Sequence, residues 1–237
     1  MTRIRKRIAV LISGRGSNMS ALIAAAGDPE YPAEIAGVIS SRADARGLET
    51  AARHGIATRI IPQRDFTSRE AQDEAIEAAL GEFEADIVCL AGYMLLLTPG
   101  FVAAWEGRMI NIHPALLPSF KGLDTHARAL AAGVRIHGCT VHFVTHDVDA
   151  GPIIAQAAVP VFADDTEQTL AARVLAAEHK LYPLALALVA EGKARLEGGR
   201  TKFGRLDKEG SMTLISPLPE VNSDSASDLE ALARFTP

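Results

Sequence analysis

Asn111, Ile112, His113 and Pro114 form one run of the chain, and His146, Asp147, Val148, Asp149, Ala150, Gly151 and Pro152 form another. Together they hold the parts for acyl transfer without a covalent enzyme intermediate. Moving an acyl group onto an amine requires donors for the oxyanion of the tetrahedral intermediate. It also requires an acceptor for the proton of the attacking nitrogen and an acid for the departing one. Asn111 and His113 can donate, and Asp149 can accept. Asn111 and His113 are two apart, so on an extended segment both side chains share a face while Ile112 turns to the core. Pro114 then ends the strand, and strand ends are where α/β sheets place chemistry. The same residues admit plainer readings. Asn111 and His113 would also serve as a satisfied core pair, and Asp149 as a turn former beside Gly151.

A second constellation lies near the start. Ser13, Gly14, Arg15, Gly16, Ser17 and Asn18 follow a short apolar run and open a helical pattern. Free backbone N–H groups and the helix dipole make an anion cradle there, with glycines letting a phosphate approach the main chain. The run is neither the dinucleotide fingerprint nor a Walker loop, which needs Gly-Lys-Ser or Gly-Lys-Thr. A tight glycine turn without ligand remains the alternative. His142, alternating with Phe143 on a strand, reads as a residue that supports a catalyst or fills the core rather than reacting. His126 and His179 fall on helices, and Arg69 near a helix start is a solvated charge unless an acidic ligand lies across from it.

The elements that must hold these residues alternate. Apolar β-type runs at 7–13, 34–40, 56–61 and 86–91 are separated by helical patterns from Asn18, from Asp44 to His54 and from Ser68 to Phe83. Asp44 and Ser68 suit N-caps, and Gly55 suits a helix terminator. Further strands are predicted at 109–113, 136–145 and 152–161, a short helix at 123–132 and a long one at 166–191 despite Pro183. A hairpin is expected around 197–200. This pattern predicts an α/β domain with a mostly parallel twisted sheet and helices on both faces. The domain is expected over residues 1–200, its N-terminal half binding phosphate. Residues 201–237 are expected to form a partly disordered C-terminal extension, with only 228–235 able to make a helical turn or two.

The 237 residues are 48% hydrophobic, enough for a full core, and carry a net charge of -5. That balance argues against a nucleic-acid or anionic-membrane surface, so an anionic ligand must be held locally. The basic first residues imitate a signal peptide, but the apolar run after them is too short. No later stretch approaches the roughly 18 apolar residues of a membrane helix, so a cytoplasmic location is expected. Cys89 and Cys139 have no Cys or His at ligand spacing, and the five histidines between 113 and 146 lack metal-site spacing, so no metal is expected.

The run from Asn111 to Gly122, with His137, Gly138, the segment 141–144 and the segment 149–152, resembles the folate-dependent formyltransferases. With Ser13 to Asn18 added, the resemblance is to the branch acting on glycinamide ribonucleotide, and it covers about residues 7–200. It implies a Rossmann-like formyltransferase fold, 10-formyltetrahydrofolate as co-substrate donor, and the amine of glycinamide ribonucleotide as acceptor in purine synthesis. The catalytic set it implies is Asn111, His113 and Asp149, with the folate bound in the same C-terminal half. Gly16, Ser17 and Asn18 match positions that hold the ribonucleotide phosphate, and Glu178 one that contacts the ribose. Met94, Leu95, Leu96 and Leu97 match one wall of the pterin pocket, and Asn111 is also among the folate-binding positions. Thr145, His146, Asp147, Val148 and Asp149 match the other wall, and Arg69 lies near the folate's acidic tail. Leu95 and Asp124 depart from the pattern, standing where some members carry Arg and His. Methionyl-tRNA formyltransferase and formyltetrahydrofolate deformylase share the Asn, His and Asp signature but carry extra modules not expected here. The resemblance admits a monomer or a homodimer. The alternatives are a deformylase and a non-catalytic phosphometabolite-binding domain.

Overall fold

A computed structural model describes residues 5–204. Of the extension predicted at 201–237, residues 205–237, with the helical turn at 228–235, lie outside the described residues, whereas 201–203 belong to a strand, so the ordered domain runs past the predicted boundary at 200. The chain runs β1 (Lys6–Ile12), α1 (Ser17–Ala26), β2 (Ala33–Ser40), α2 (Arg46–Arg53), β3 (Ala57–Ile60), a 3-10 turn (Gln63–Asp65) and α3 (Arg69–Glu82). It continues β4 (Ile87–Leu90), α4 (Pro99–Ala104), β5 (Met109–His113), α5 (Thr125–Ala131), β6 (Ile136–Phe143), β7 (Ile153–Pro160) and α6 (Glu167–Ala190). The hairpin β8 (Ala194–Glu197) and β9 (Arg200–Phe203) follows.

Seven strands form one sheet in the order β3-β2-β1-β4-β5-β6-β7. β1 to β5 are parallel to one another, as the helical crossovers between them require. β6 and β7 run antiparallel. No helix lies between β6 and β7 to carry the chain back, so only a loop over 144–152 reverses it. Alternation along β1 divides the core between two faces. Ile8, Val10 and Ile12 pack with Met19 and Leu22 of α1 and with Tyr182 and Leu186 of α6. Ala9 and Leu11 pack with Ile76 and Leu80 of α3 and with Phe101 of α4. Helices therefore cover both faces, as expected of a sheet built from crossover units.

Two local expectations need correcting. Asp44 does not cap α2: the N-cap is Ala45, without a side-chain bond. The Asp44 carboxylate is instead taken by Arg42 two residues earlier, at 2.9 and 2.7 Å, an ion pair that outcompetes a single amide. Helix α4 was not among the predicted elements, although its signal is present. Thr98 accepts a bond from the Phe101 N–H and Pro99 occupies the first turn, the usual start of a helix. Ser68 caps α3 through the Ala71 N–H, and Gly55 follows α2 at φ +68°, both as predicted.

β1 leads outward to β2 and β3, whereas the later strands build away on the other side. The sheet order thus reverses between β1 and β4, where open α/β sheets leave a crevice for ligands. The Ser13 N–H spans that point to the Gly92 carbonyl.

Candidate active site

β5 and β6 bring the chemistry together through their register. Asn111 lies opposite His142 and His113 opposite Thr140 on the antiparallel partner, so these side chains share one face. His142 Nδ1 lies 2.9 Å from the Phe143 carbonyl. A carbonyl only accepts, so Nδ1 carries the proton and Nε2 presents its lone pair. Asn111 Nδ2 donates to that lone pair at 3.3 Å. One hydrogen of the Asn111 amide is thereby committed and the other is left for a ligand. Burial pushes the His142 pKa down, against the Phe143 hydrogen bond and the charge of Asp149. A neutral, accepting ring fits that shift.

Asp149 closes the cluster from the loop after β6. Its Oδ2 accepts from the Gly122 N–H at 2.9 Å and stands 3.3 Å from His113 Nδ1, while Oδ1 is 3.7 Å from His142 Nε2. Its backbone is left-handed at φ +49°, a conformation Asp and Asn tolerate better than most residues. His113 is almost fully buried and its Nε2 donates to the Phe120 carbonyl at 3.0 Å. Both ring nitrogens thus face acceptors, the arrangement an imidazolium with two N–H donors satisfies. In this arrangement the Nε2–H of His113 is held by the loop over 114–124, and Asn111 keeps one N–H uncommitted. A hydroxyl at Thr140 anchors that loop, accepting from the Leu117 N–H and donating to the Ala115 carbonyl.

Gly151 is fixed by contact rather than by its torsion. A Cβ there would lie 1.8 Å from the Phe143 carbonyl oxygen and 3.3 Å from His142 Nδ1. Gly151→Ala is expected to lower stability by about 1–3 kcal/mol, the usual cost of overpacking. It should also displace the carbonyl that sets the His142 tautomer. Urea denaturation checks the first effect, and an unchanged midpoint would contradict it.

A slot of about 140 Å³ opens beside Asn111, His142 and Asp149. Leu95, Leu96 and Leu97 form one wall and Thr145, His146, Asp147 and Val148 the other, matching the two predicted segments. Tyr93 and Val102 also line it; neither was singled out in the sequence, and the Val102 contact depends on the unpredicted α4. Met94, 68% exposed, lies outside the slot and lines an adjoining cleft of about 650 Å³. Arg69 is the exposed first residue of α3 and lines neither space. Asp124 takes a left-handed backbone before α5 and makes no side-chain cap.

At the end of β1, Gly16 is left-handed at φ +71° and no side chain caps α1, so the first N–H groups of that helix are without an intrahelical partner. Asn18 Nδ2 donates to Glu178 of α6 at 2.7 Å, joining residues 160 apart in sequence. Burial raises the Glu178 pKa and the Asn18 bond opposes it. The buried Asn18 Oδ1 has no hydrogen-bond partner. Gly47, which sequence reasoning missed, packs on this loop: a Cβ on Gly16 would meet its Cα at 2.9 Å, and its N–H donates to the Gly14 carbonyl.

Among the described residues no group of three His, Cys, Asp or Glu could hold a metal. His126 and His137 instead meet edge-on at 5.4 Å, and burial lowers the His137 pKa to about 4. No helix of the described residues is long and apolar enough to cross a membrane.

The formyl transferase family matches residues 6–186. The chain belongs to that family. It is 46% identical to phosphoribosylglycinamide formyltransferase of Escherichia coli, over 80% of this chain and 89% of the relative. It is 54% identical to the bovine trifunctional purine biosynthetic protein adenosine-3, over 83% of this chain and 20% of the relative. The chain therefore spans about a fifth of the length of the trifunctional relatives it matches. The structure of phosphoribosylglycinamide formyltransferase from Brucella melitensis is 59% identical, with a TM-score of 0.76 over 78% of this chain and 96% of that one. A formyltetrahydrofolate deformylase from Pseudomonas syringae is 27% identical, with a TM-score of 0.78 over 85% of this chain and 67% of that one. Transferase and deformylase thus share this fold, and the site must distinguish them.

Proposed function

We propose that this formyltransferase moves the formyl group of 10-formyltetrahydrofolate directly to the amine of glycinamide ribonucleotide, in the purine pathway and in the cytoplasm. Residues 1–200 act as one domain, phosphate binding in the N-terminal half and catalysis with folate binding in the C-terminal half. The observation that carries the reading is the cluster of Asn111, His113, His142 and Asp149, three of which (Asn111, His142 and Asp149) line the slot, in a chain that also keeps an uncapped helix N-terminus at Gly16.

The folate's pterin end occupies the slot between the segments 95–97 and 145–149, and Arg69 attracts the acidic tail from its position on α3. The phosphate sits on the N–H groups of Gly16, Ser17 and Asn18, and Glu178 takes the ribose. The amine nitrogen attacks the formyl carbon, and the carbonyl oxygen becomes an oxyanion. Asn111 meets it with its uncommitted N–H, and His113 with the Nε2–H that Phe120 holds in the free protein. Each such donor contributes roughly 3–4 kcal/mol in a dry site. His142 fixes the Asn111 amide. Asp149 takes the proton from the new ammonium and passes it through water to the folate N10 as the C–N10 bond breaks. No nucleophilic side chain is used.

Loss of the 10-formyl donor, followed by absorbance with and without glycinamide ribonucleotide, tests the reading. The acceptor's phosphate supplies positioning that water cannot imitate, so donor loss is expected to depend on the acceptor. Equal loss without acceptor, with formate accumulating, would make the chain a deformylase.

A further inference from the structure

Register sets one row across three neighbouring strands: His113 on β5 lies opposite Thr140 on β6, and Thr140 lies opposite Gln156 on β7. Residues directly opposite share a face of the sheet, so the imidazole, a hydroxyl and an amide stand side by side out to the sheet's edge. β7 is that edge. Gln156 is exposed there and lines neither the slot nor the adjoining cleft. Its amide is nonetheless engaged, with Nε2 2.9 Å from the Leu117 carbonyl oxygen and 3.0 Å from Thr140 Oγ1. A carbonyl only accepts, so the NH2 end of the amide is the end that faces it. The Thr140 hydroxyl gives its one hydrogen to the Ala115 carbonyl at 2.7 Å, which leaves its lone pairs for the Leu117 N–H at 3.0 Å and the second Gln156 N–H. Thr140 and Gln156 thus grip the peptide groups on either side of the Leu117 Cα and fix its orientation.

The loop held this way leaves His113 and returns to it. The Ser119 N–H donates to the Leu116 carbonyl at 3.0 Å, and the next residue, Phe120, turns its carbonyl to His113 Nε2 at 3.0 Å. We propose that Gln156 is a positioning residue for formyl transfer: by holding Leu117 it sets where the Phe120 carbonyl meets His113, and so the direction in which the imidazole presents its Nε2–H. The assignment rests on the formyltransferase reading for the role of His113. Gln156 touches no reacting atom in this account. What counts at position 156 is the pair of N–H donors, because the side chain is exposed and contributes little to the core.

Three variants of the full chain separate those donors from the bulk that carries them. Gln156→Met keeps the length without a donor, Gln156→Glu sets a carboxylate against the Leu117 carbonyl, and Gln156→Lys restores a donor. Gln156→Met is expected to lower kcat about tenfold, short of the roughly hundredfold that a full ångström of misplacement costs. Gln156→Glu should lose at least as much, and Gln156→Lys should keep most of the rate. KM for both substrates and the melting temperature should change little in all three. Nitrogen-15 NMR of labelled histidine reads the same link without turnover, the His113 ring signals being those absent from His113→Ala. The Nε2–H is expected to exchange with solvent about tenfold faster in Gln156→Met, the factor one hydrogen bond is worth, and to recover in Gln156→Lys. An unchanged kcat and ring signal in Gln156→Met would overturn the proposal, as would a loss of rate that follows the melting temperature and persists in Gln156→Lys. Absence of formyl transfer by the unaltered chain would overturn the functional reading instead, and the ring signal would then decide whether Gln156 orients His113.

Discussion

Asp149→Asn is expected to lower kcat by about two orders of magnitude or more, because a positioned general base contributes that much. Asn keeps an oxygen for the Gly122 N–H and tolerates the left-handed backbone at φ +49°, so the fold should survive. What disappears is the charge 3.3 Å from His113 Nδ1 and the site that accepts the amine proton. His113→Ala should give a loss of similar size, with added damage from the Phe120 carbonyl left without its donor. Asn111→Ala should cost somewhat less, since one donor is lost while the base remains. Steady-state kinetics with circular dichroism checks all three. Near-normal turnover in Asp149→Asn with an unchanged spectrum would remove the proton-transfer role.

The second large effect is expected at the phosphate cradle. Gly16→Val is a poor probe, because any side chain there is strained at φ +71° and strikes Gly47 at 2.9 Å. Ser17→Asp separates binding from stability. Ser17 is the first residue of α1, and a carboxylate in a first turn stabilises a helix by about 0.3–1 kcal/mol. The same carboxylate would face a bound phosphate, and repulsion of about 1–2 kcal/mol across a few ångströms raises KM for the ribonucleotide about tenfold or more. The KM for folate and the melting temperature should stay near their original values. An effect on folate alone would reverse the placement of the two ligands.

Much of this site was legible in the chain because it is local. The spacing of Asn111 and His113 fixes their shared face, Pro114 fixes the strand end, and the glycines around Arg15 fix the loop into α1. The resemblance supplied the segments 94–97 and 145–149, and nine of the ten residues named in them and at Asn111 line the slot, with Met94 on the neighbouring cleft. What the chain did not disclose is set by register and competition. His142 supports Asn111 because β5 and β6 pair antiparallel, and nothing in the alternation of apolar residues states a strand's direction. The hold of Phe120 on His113 depends on the path of an irregular loop. Asp44 does not cap α2, its carboxylate being engaged by Arg42 and the N-cap position falling to Ala45, a contest that cap preferences do not weigh. The Asn18 to Glu178 bond spans two helices that meet only in the folded core.

Direct transfer at the Asn111, His113 and Asp149 cluster is tested most sharply by single turnover with donor labelled with carbon-13 in the formyl group. With glycinamide ribonucleotide present, the label is expected to pass wholly to the acceptor's amine, with none on protein and none in formate. Asp149→Asn should slow that passage without rerouting it. Label trapped on the protein, or released as formate at the same rate with and without acceptor, would contradict the account.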